Sequence, residues 1–219
     1  MLKGAIFDFD GTLFDSMFIW DTAGEMYLRS IGKEPEVDLQ EVLKPMSLLQ
    51  SAQYIREHYQ IPLTIEEIMD GVNRTVESFY FHMAQPKEGV VAFLEQIKKQ
   101  DVKMCIATAT DRYQVEAALK RCGMEGFFTE IFTCTEIGHG KDDPIIFQKA
   151  MEHLGTTKAN TVVFEDAYHA AKTAKADGFI TVTVFDSHEK KQAELHSVSD
   201  CFIESFAQTE LLEKFAYCL

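Results

Sequence analysis

Apolar residues follow two rhythms along this chain. Short continuous runs at Leu2–Phe9, Val102–Ala107, Glu130–Thr133, Thr161–Phe164 and Ile180–Phe185 have the length and content of buried strands. Between most of them the period lengthens to that of a helix. In Gln114–Cys122, residues Val115, Ala118, Leu119 and Cys122 fall on one face. The segment Ala167–Asp177 is rich in Ala and Lys and stops before Gly178, which suits the left-handed turn after a helix. Strands alternating with helices predict an α/β fold with a doubly wound parallel sheet. In such a sheet the functional residues gather at the carboxyl ends of the strands.

The first interval departs from this alternation. Residues 16–85 contain no strand pattern. Instead, Leu48, Leu49, Ala52, Ile55 and Tyr59 form one helical stripe. A longer stripe comprises Ile65, Ile68, Met69, Val72, Val76, Phe79, Tyr80 and Met83, and Pro35, Pro45 and Pro62 punctuate the segment. The expected organisation is a core of residues 1–15 and 86–219, with an all-helical insert at 16–85 placed after the first strand.

Charge narrows the range of partners. The chain of 219 residues carries a net charge of −14, which repels polyanions and anionic surfaces, so neither nucleic acid nor membrane is expected as a partner. The N-terminal apolar run is broken by Asp8 and Asp10, unlike a signal peptide or a membrane span, and a cytoplasmic location is expected. The five cysteines are odd in number and show no C-x-x-C spacing, as expected of reduced thiols.

The candidate chemistry clusters at predicted strand ends. Asp8 and Asp10 stand two apart, so both carboxylates can project into one crevice past the strand, and Gly11 lets the backbone turn. Two such neighbours ionise together only with a cation between them, and Mg²⁺ prefers oxygen ligands. Taken alone, the pair also fits a solvated turn. Glu165 and Asp166 follow a second apolar strand and would reach the same sheet edge, although Asp166 equally suits a helix N-terminus. Thr108, Ala109 and Thr110 lie between a strand and a helix, where hydroxyls and N–H groups bind anions or simply cap the helix. Lys141 lies in the loop Gly138-His139-Gly140-Lys141, a close-approach site for a ligand or an ordinary solvated lysine.

Together, D-x-D-G-T-L near the N-terminus, a Thr after the second strand, a Gly-Lys loop and Phe-Glu-Asp after a later strand resemble the haloacid dehalogenase superfamily. The resemblance is to the subgroup with a Rossmann-like core and a helical cap after the first motif. It implies that Asp8 attacks phosphorus to form an aspartyl-phosphate, while Asp10 protonates the leaving oxygen and then activates water. It also implies Mg²⁺ held by Asp8, Asp10 and Asp166, with Glu165 ligating directly or through water. Thr108, Ala109 and Thr110 would hold phosphate oxygens, and Lys141 would neutralise charge on nucleophile and phosphate.

Several departures shape what is carried over. Dehalogenases of the superfamily lack the second Asp of the first motif, so Asp10 argues against dehalogenation. The stretch Leu43-Lys44-Pro45-Met46-Ser47 resembles the β-phosphoglucomutases, but those enzymes have an Arg where Leu48 stands and a His where Trp20 stands. Lys141 is followed by Asp142-Asp143-Pro144-Ile145, where the family pattern has Pro-x-Pro-Asp. Met17, Trp20, Lys44 and Met46 are either substrate-facing or packing positions of the cap. The expected activity is Mg²⁺-dependent hydrolysis of a small phosphorylated metabolite, of the sugar phosphate or nucleotide class, by a monomer whose cap closes over the substrate. The alternatives are a phosphomutase and a non-catalytic binding or regulatory module on the same fold.

Overall fold

Strand β1 (Gly4–Phe7) is buried along its whole length and hydrogen-bonded on both sides, which explains why its sequence lacks the alternation of a half-exposed strand. The computed structural model describes residues 2–43, 46 and 48–208. After β1 come β2 (Phe14–Asp15) and helices α1 (Met17–Ser30), α2 (Leu39–Leu43), α3 (Leu48–His58) and α4 (Ile65–His82). The chain continues through β3 (Gln85–Pro86), α5 (Val90–Lys99), β4 (Lys103–Thr108), α6 (Arg112–Arg121), β5 (Ile131–Thr133) and α7 (Cys134–Ile137). It ends with α8 (Ile145–Leu154), β6 (Thr161–Glu165), α9 (Tyr168–Ala176), β7 (Ile180–Val184), α10 (Gln192–Ser197) and β8 (Cys201–Ile203).

The main sheet has the order β5-β4-β1-β6-β7-β8, with every neighbouring pair parallel. The chain winds outward from β1 in both directions, so a crevice opens at the carboxyl ends of β1, β4 and β6. Register and side-chain alternation assign the two faces. Ile6 pairs with Cys105 and Val163, and these three join Ile146, Phe147 and Ala150 of α8 and Ala170 and Ala174 of α9 in one core. One residue later Phe7 pairs with Phe164, and their rings stack at 4.3 Å on the opposite face. Phe93 of α5 meets Phe164 edge-on at 5.7 Å, and Phe206 lies 4.9 Å from Phe93. Each such aromatic contact contributes about 0.5–1.5 kcal/mol beyond the burial itself.

Three features were not expected from the sequence. The first strand ends at Phe7: the Asp8 N–H still donates to the Phe164 carbonyl at 2.9 Å, and Phe9 to Leu13 then leave the ladder for a tight turn. β8 extends the sheet by one strand, and β2 and β3 form a separate antiparallel ribbon pairing Phe14 with Pro86 and Asp15 with Gln85.

The chain divides into two compact units, Ser16–Met83 and the residues on either side of it. The inserted unit is helical. Its longest helix, α4, starts at a reciprocal cap in which Thr64 Oγ1 accepts from the Glu67 N–H at 3.2 Å and Glu67 Oε2 accepts from the Thr64 N–H at 2.8 Å. Ile68, Val72, Val76, Phe79 and Tyr80 of the expected stripe are buried, whereas Met83 is 63% exposed. In α3, Ala52 and Ile55 are buried but Leu49 is half exposed, so that stripe is narrower than expected. Trp20 Nε1 donates to the Tyr80 hydroxyl at 2.8 Å, a packing role inside this unit. Among the described residues no helix is long and apolar enough to cross a membrane.

Candidate active site

The turn after β1 is built from the motif itself. Gly11 takes φ of +75°, a conformation that favours glycine, and its N–H donates to the Phe14 carbonyl at 2.9 Å. The N–H groups of Leu13 and Phe14 both donate to the Phe9 carbonyl, at 3.0 and 2.9 Å. Phe9 and Phe14 are fully buried and stack at 4.4 Å. The apolar residues of the motif thus anchor the turn that carries Asp8 and Asp10.

Side chains from three strand ends, β1, β4 and β6, and from the loop between α7 and α8 converge there. The Lys141 ammonium donates to Asp8 Oδ1 and to Glu165 Oε1, the latter at 2.5 Å. Asp166 Oδ1 accepts from the Thr12 hydroxyl at 2.8 Å. Thr110 donates its hydroxyl to Asp10 Oδ2 at 2.5 Å, and the Thr110 N–H donates to Thr108 Oγ1 at 3.0 Å. All of these side chains are buried; Ala109 is exposed between its two threonines. Sequence reading assigned no role to Thr12, although it lies inside the first motif, because its partner is 154 residues away.

Burial sets the electrostatics. It raises the Asp8 carboxyl to about 6; Lys141 opposes that rise and Glu165 adds to it. Burial likewise raises Glu165 against the pull of Lys141. Asp166 is raised well above the usual carboxylate range, first by burial and then by the charges of Asp8 and Glu165. For Lys141 burial disfavours the charge, but Asp8 and Glu165 outweigh it and hold the ammonium protonated.

One ammonium therefore lies among three carboxylates, which ionise together only where a further cation offsets their burial and mutual repulsion. One oxygen each from Asp8, Glu165 and Asp166 lies within 4.8 Å of the other two. Hard oxygen donors at that spacing fit a hard divalent cation such as Mg²⁺, whose charge would favour their ionised forms. Asp10 stands apart from this trio, its carboxylate engaged by Thr110.

Arg112, at the start of α6, braces the neighbouring loops. Its Nε and one terminal nitrogen hold Glu136 at 2.6 and 2.9 Å, the other terminal nitrogen holds Glu130 at 2.8 Å, and the Ile131 carbonyl accepts as well. Thr135 also donates to Asp111 Oδ1 at 2.8 Å. The segment leading into the Lys141 loop is thereby fixed to the end of β4 that carries Thr108 and Thr110. Met17, Trp20 and Met46 belong to the helical unit, and Lys44 lies outside the described residues.

The family model for haloacid dehalogenase-like hydrolases matches residues 5–184. The chain is 25% identical over 199 residues to a phosphorylated carbohydrates phosphatase of Thermotoga maritima, covering 91% of this chain and 88% of that protein. It is 26% identical over 198 residues to a probable pseudouridine-5'-phosphatase of Drosophila melanogaster, covering 88% and 85%. A putative β-phosphoglucomutase from Thermotoga maritima superposes with a TM-score of 0.77 at 24% identity over the whole of both chains. CbbY from Rhodobacter sphaeroides, solved with phosphate, gives 0.82 at 19% identity, covering 95% and 96%. The two structural likenesses speak for the fold, and the family match, which spans most of the sequence, settles the family: the chain belongs to the haloacid dehalogenase-like hydrolases.

Proposed function

We propose that this hydrolase is a phosphatase of small phosphomonoesters in which Asp8 is the nucleophile. The observation that carries this reading is the buried Lys141 ammonium shared by Asp8 and Glu165, with Asp166 alongside. It supports a carboxylate held in place beside a centre that can accept the charge of a phosphate.

Asp8 attacks phosphorus through a carboxylate oxygen, and the ester P–O bond breaks as the new bond forms. Asp10 donates a proton to the departing oxygen. Its Oδ2 accepts from the Thr110 hydroxyl, which orients the carboxyl group for that transfer. In the second half, water gives a proton to Asp10 and its oxygen attacks phosphorus. The bond to Asp8 then breaks, and inorganic phosphate leaves. Lys141 offsets charge on Asp8 and on the phosphoryl oxygens, while Thr108 and the backbone of Ala109 and Thr110 receive those oxygens. Asp8 and Asp166, with Asp10 and Glu165 beside them, are the residues that would hold Mg²⁺; bound there, it supplies further neutralisation of the transferring phosphoryl group.

Relatives named for phosphorylated carbohydrates and for pseudouridine 5'-phosphate support a sugar phosphate or nucleotide class of substrate. Residues 16–85 are assigned the role of a cap that selects the leaving group. Phosphomutase activity is disfavoured by Leu48 and by Trp20, which is engaged with Tyr80.

Asp8→Asn is expected to abolish Mg²⁺-dependent release of phosphate from an aryl phosphate. Retained turnover in that variant would remove Asp8 from the nucleophile's role. A panel of phosphomonoesters assayed with the parent protein then identifies the substrate class.

A further inference from the structure

Lys87 follows β3 directly, where the chain rejoins the sheet unit. Its backbone N–H donates to the Leu13 carbonyl at 2.9 Å, at the close of the turn that begins with Asp8. Its ammonium reaches the opposite way. It donates to the Phe185 carbonyl at 2.8 Å and pairs with Asp186 Oδ2 at 2.8 Å, just past the end of β7.

Both ends of this connection are themselves fixed. Asp186 is buried, and its Oδ1 accepts the His188 N–H at 2.9 Å with the ring Nδ1 of His188 also at 2.9 Å. The Asp186 carbonyl accepts from Gln192 Nε2 at 2.7 Å. Burial opposes the charge on Asp186, but Lys87 and His188 outweigh it and hold the carboxyl below its usual range. At the other end, the turn closed by Leu13 carries Thr12, which holds Asp166. A lysine side chain loses much rotamer freedom when both ends are bound, so such a placement persists only where both sets of acceptors are rigid.

We propose that Lys87 is a positioning residue for the reaction assigned above. It acts as a strut that keeps the Asp8–Leu13 turn and the exit of β7 at one separation, and so keeps Asp8 and Asp166 in mutual register. Its catalytic consequence rests on the phosphatase reading; its mechanical consequence does not. Lys87 and Asp186 also line a cleft of about 330 Å³ with Asp15, Pro86, Phe185 and Phe206, which leaves room for a guanidinium in place of the ammonium.

The test pairs kinetics with hydrogen exchange on Lys87→Met, Lys87→Gln and Lys87→Arg. With an aryl phosphate and saturating Mg²⁺, Lys87→Met is expected to lower kcat by about tenfold or more while KM changes by less than about threefold, because the turn is misplaced and the binding groups remain. Lys87→Arg restores kcat to within about threefold of the parent. Backbone amides of residues 11–14 exchange about tenfold faster in Lys87→Met and return to parental rates in Lys87→Arg. Lys87→Gln, which keeps a donor for the Phe185 carbonyl, carries the same comparison where Lys87→Met does not fold. Parental kcat in the folded variants, unaltered exchange at residues 11–14, or an Arg variant no better than the Met variant overturns the strut. Faster exchange in a protein whose parent releases no phosphate upholds the strut and removes the phosphatase reading instead.

Discussion

Thr12 and Asp166 are joined by a hydrogen bond of 2.8 Å across 154 residues of chain, and both are buried. The bond ties the turn after β1 to the end of β6, so the motif that carries Asp8 also orients one carboxylate of the acidic trio. It uses one Asp166 oxygen and leaves the other for a ligand.

Thr12→Val removes that donor with little change in shape. A hydrogen bond to a charged group contributes about 1.5–3 kcal/mol. The Mg²⁺ concentration for half-maximal phosphate release is therefore expected to rise about tenfold or more, while Thr12→Ser stays within about threefold of the parent. A Mg²⁺ titration checks this. An unchanged midpoint in Thr12→Val would detach Thr12 from metal binding.

Asp8 gives the molecule a pH dependence of definite sign. Its carboxyl is lifted from an ordinary 3.8 to about 6, chiefly by burial. The folded state thus binds this proton more tightly than the unfolded state. The stability from it is fully present below about pH 4 and is lost as pH rises through about 6. With a chelator present, Asp8→Asn should melt with the parent near pH 4 and above it beyond pH 6, by on the order of 3 kcal/mol. Added Mg²⁺ should narrow the gap by stabilising the parent. Thermal melts at the two pH values decide the matter; a gap that does not vary with pH contradicts this origin.

Arg112→Lys keeps the charge but not the fork that holds Glu136 at two points and reaches Glu130 and the Ile131 carbonyl. The side chain is about one-third exposed, so solvent screening limits the loss to about 1 kcal/mol, or roughly 2–4 °C in melting temperature. Phosphate release is expected to fall a few-fold at unchanged Mg²⁺ dependence, because the Lys141 loop loosens while the Thr12–Asp166 contact is untouched. A shift in the Mg²⁺ midpoint as large as that of Thr12→Val would contradict this division.

How much of this was legible in the sequence depended on the range of each signal. The central strands could be read because both faces are buried and their residues are apolar throughout, as in Thr161–Glu165. Asp8, Glu165 and Asp166 could be proposed as one cluster because strand ends of a parallel sheet share an edge, whereas Lys141, in a loop, joined them only through the family resemblance. The β2–β3 ribbon could not be read: two residues at Phe14–Asp15 meet two at Gln85–Pro86, too few for any periodicity. The partners of Lys87 and Thr12 were equally hidden, since neither residue differs locally from an ordinary loop residue and each finds its acceptor only after the sheet has formed. Leu49 failed in the other direction, as its apolar character suggested burial that the helical unit does not provide.

The pairing of Phe7 with Phe164 also constrains how this gene can drift. A codon gained or lost between Gly4 and Phe7 would turn Asp8 toward the opposite face of the sheet and break the stack of the two rings in one event. Insertions and deletions in β1 are barred on that ground, beyond the limits that its complete burial sets on point substitutions.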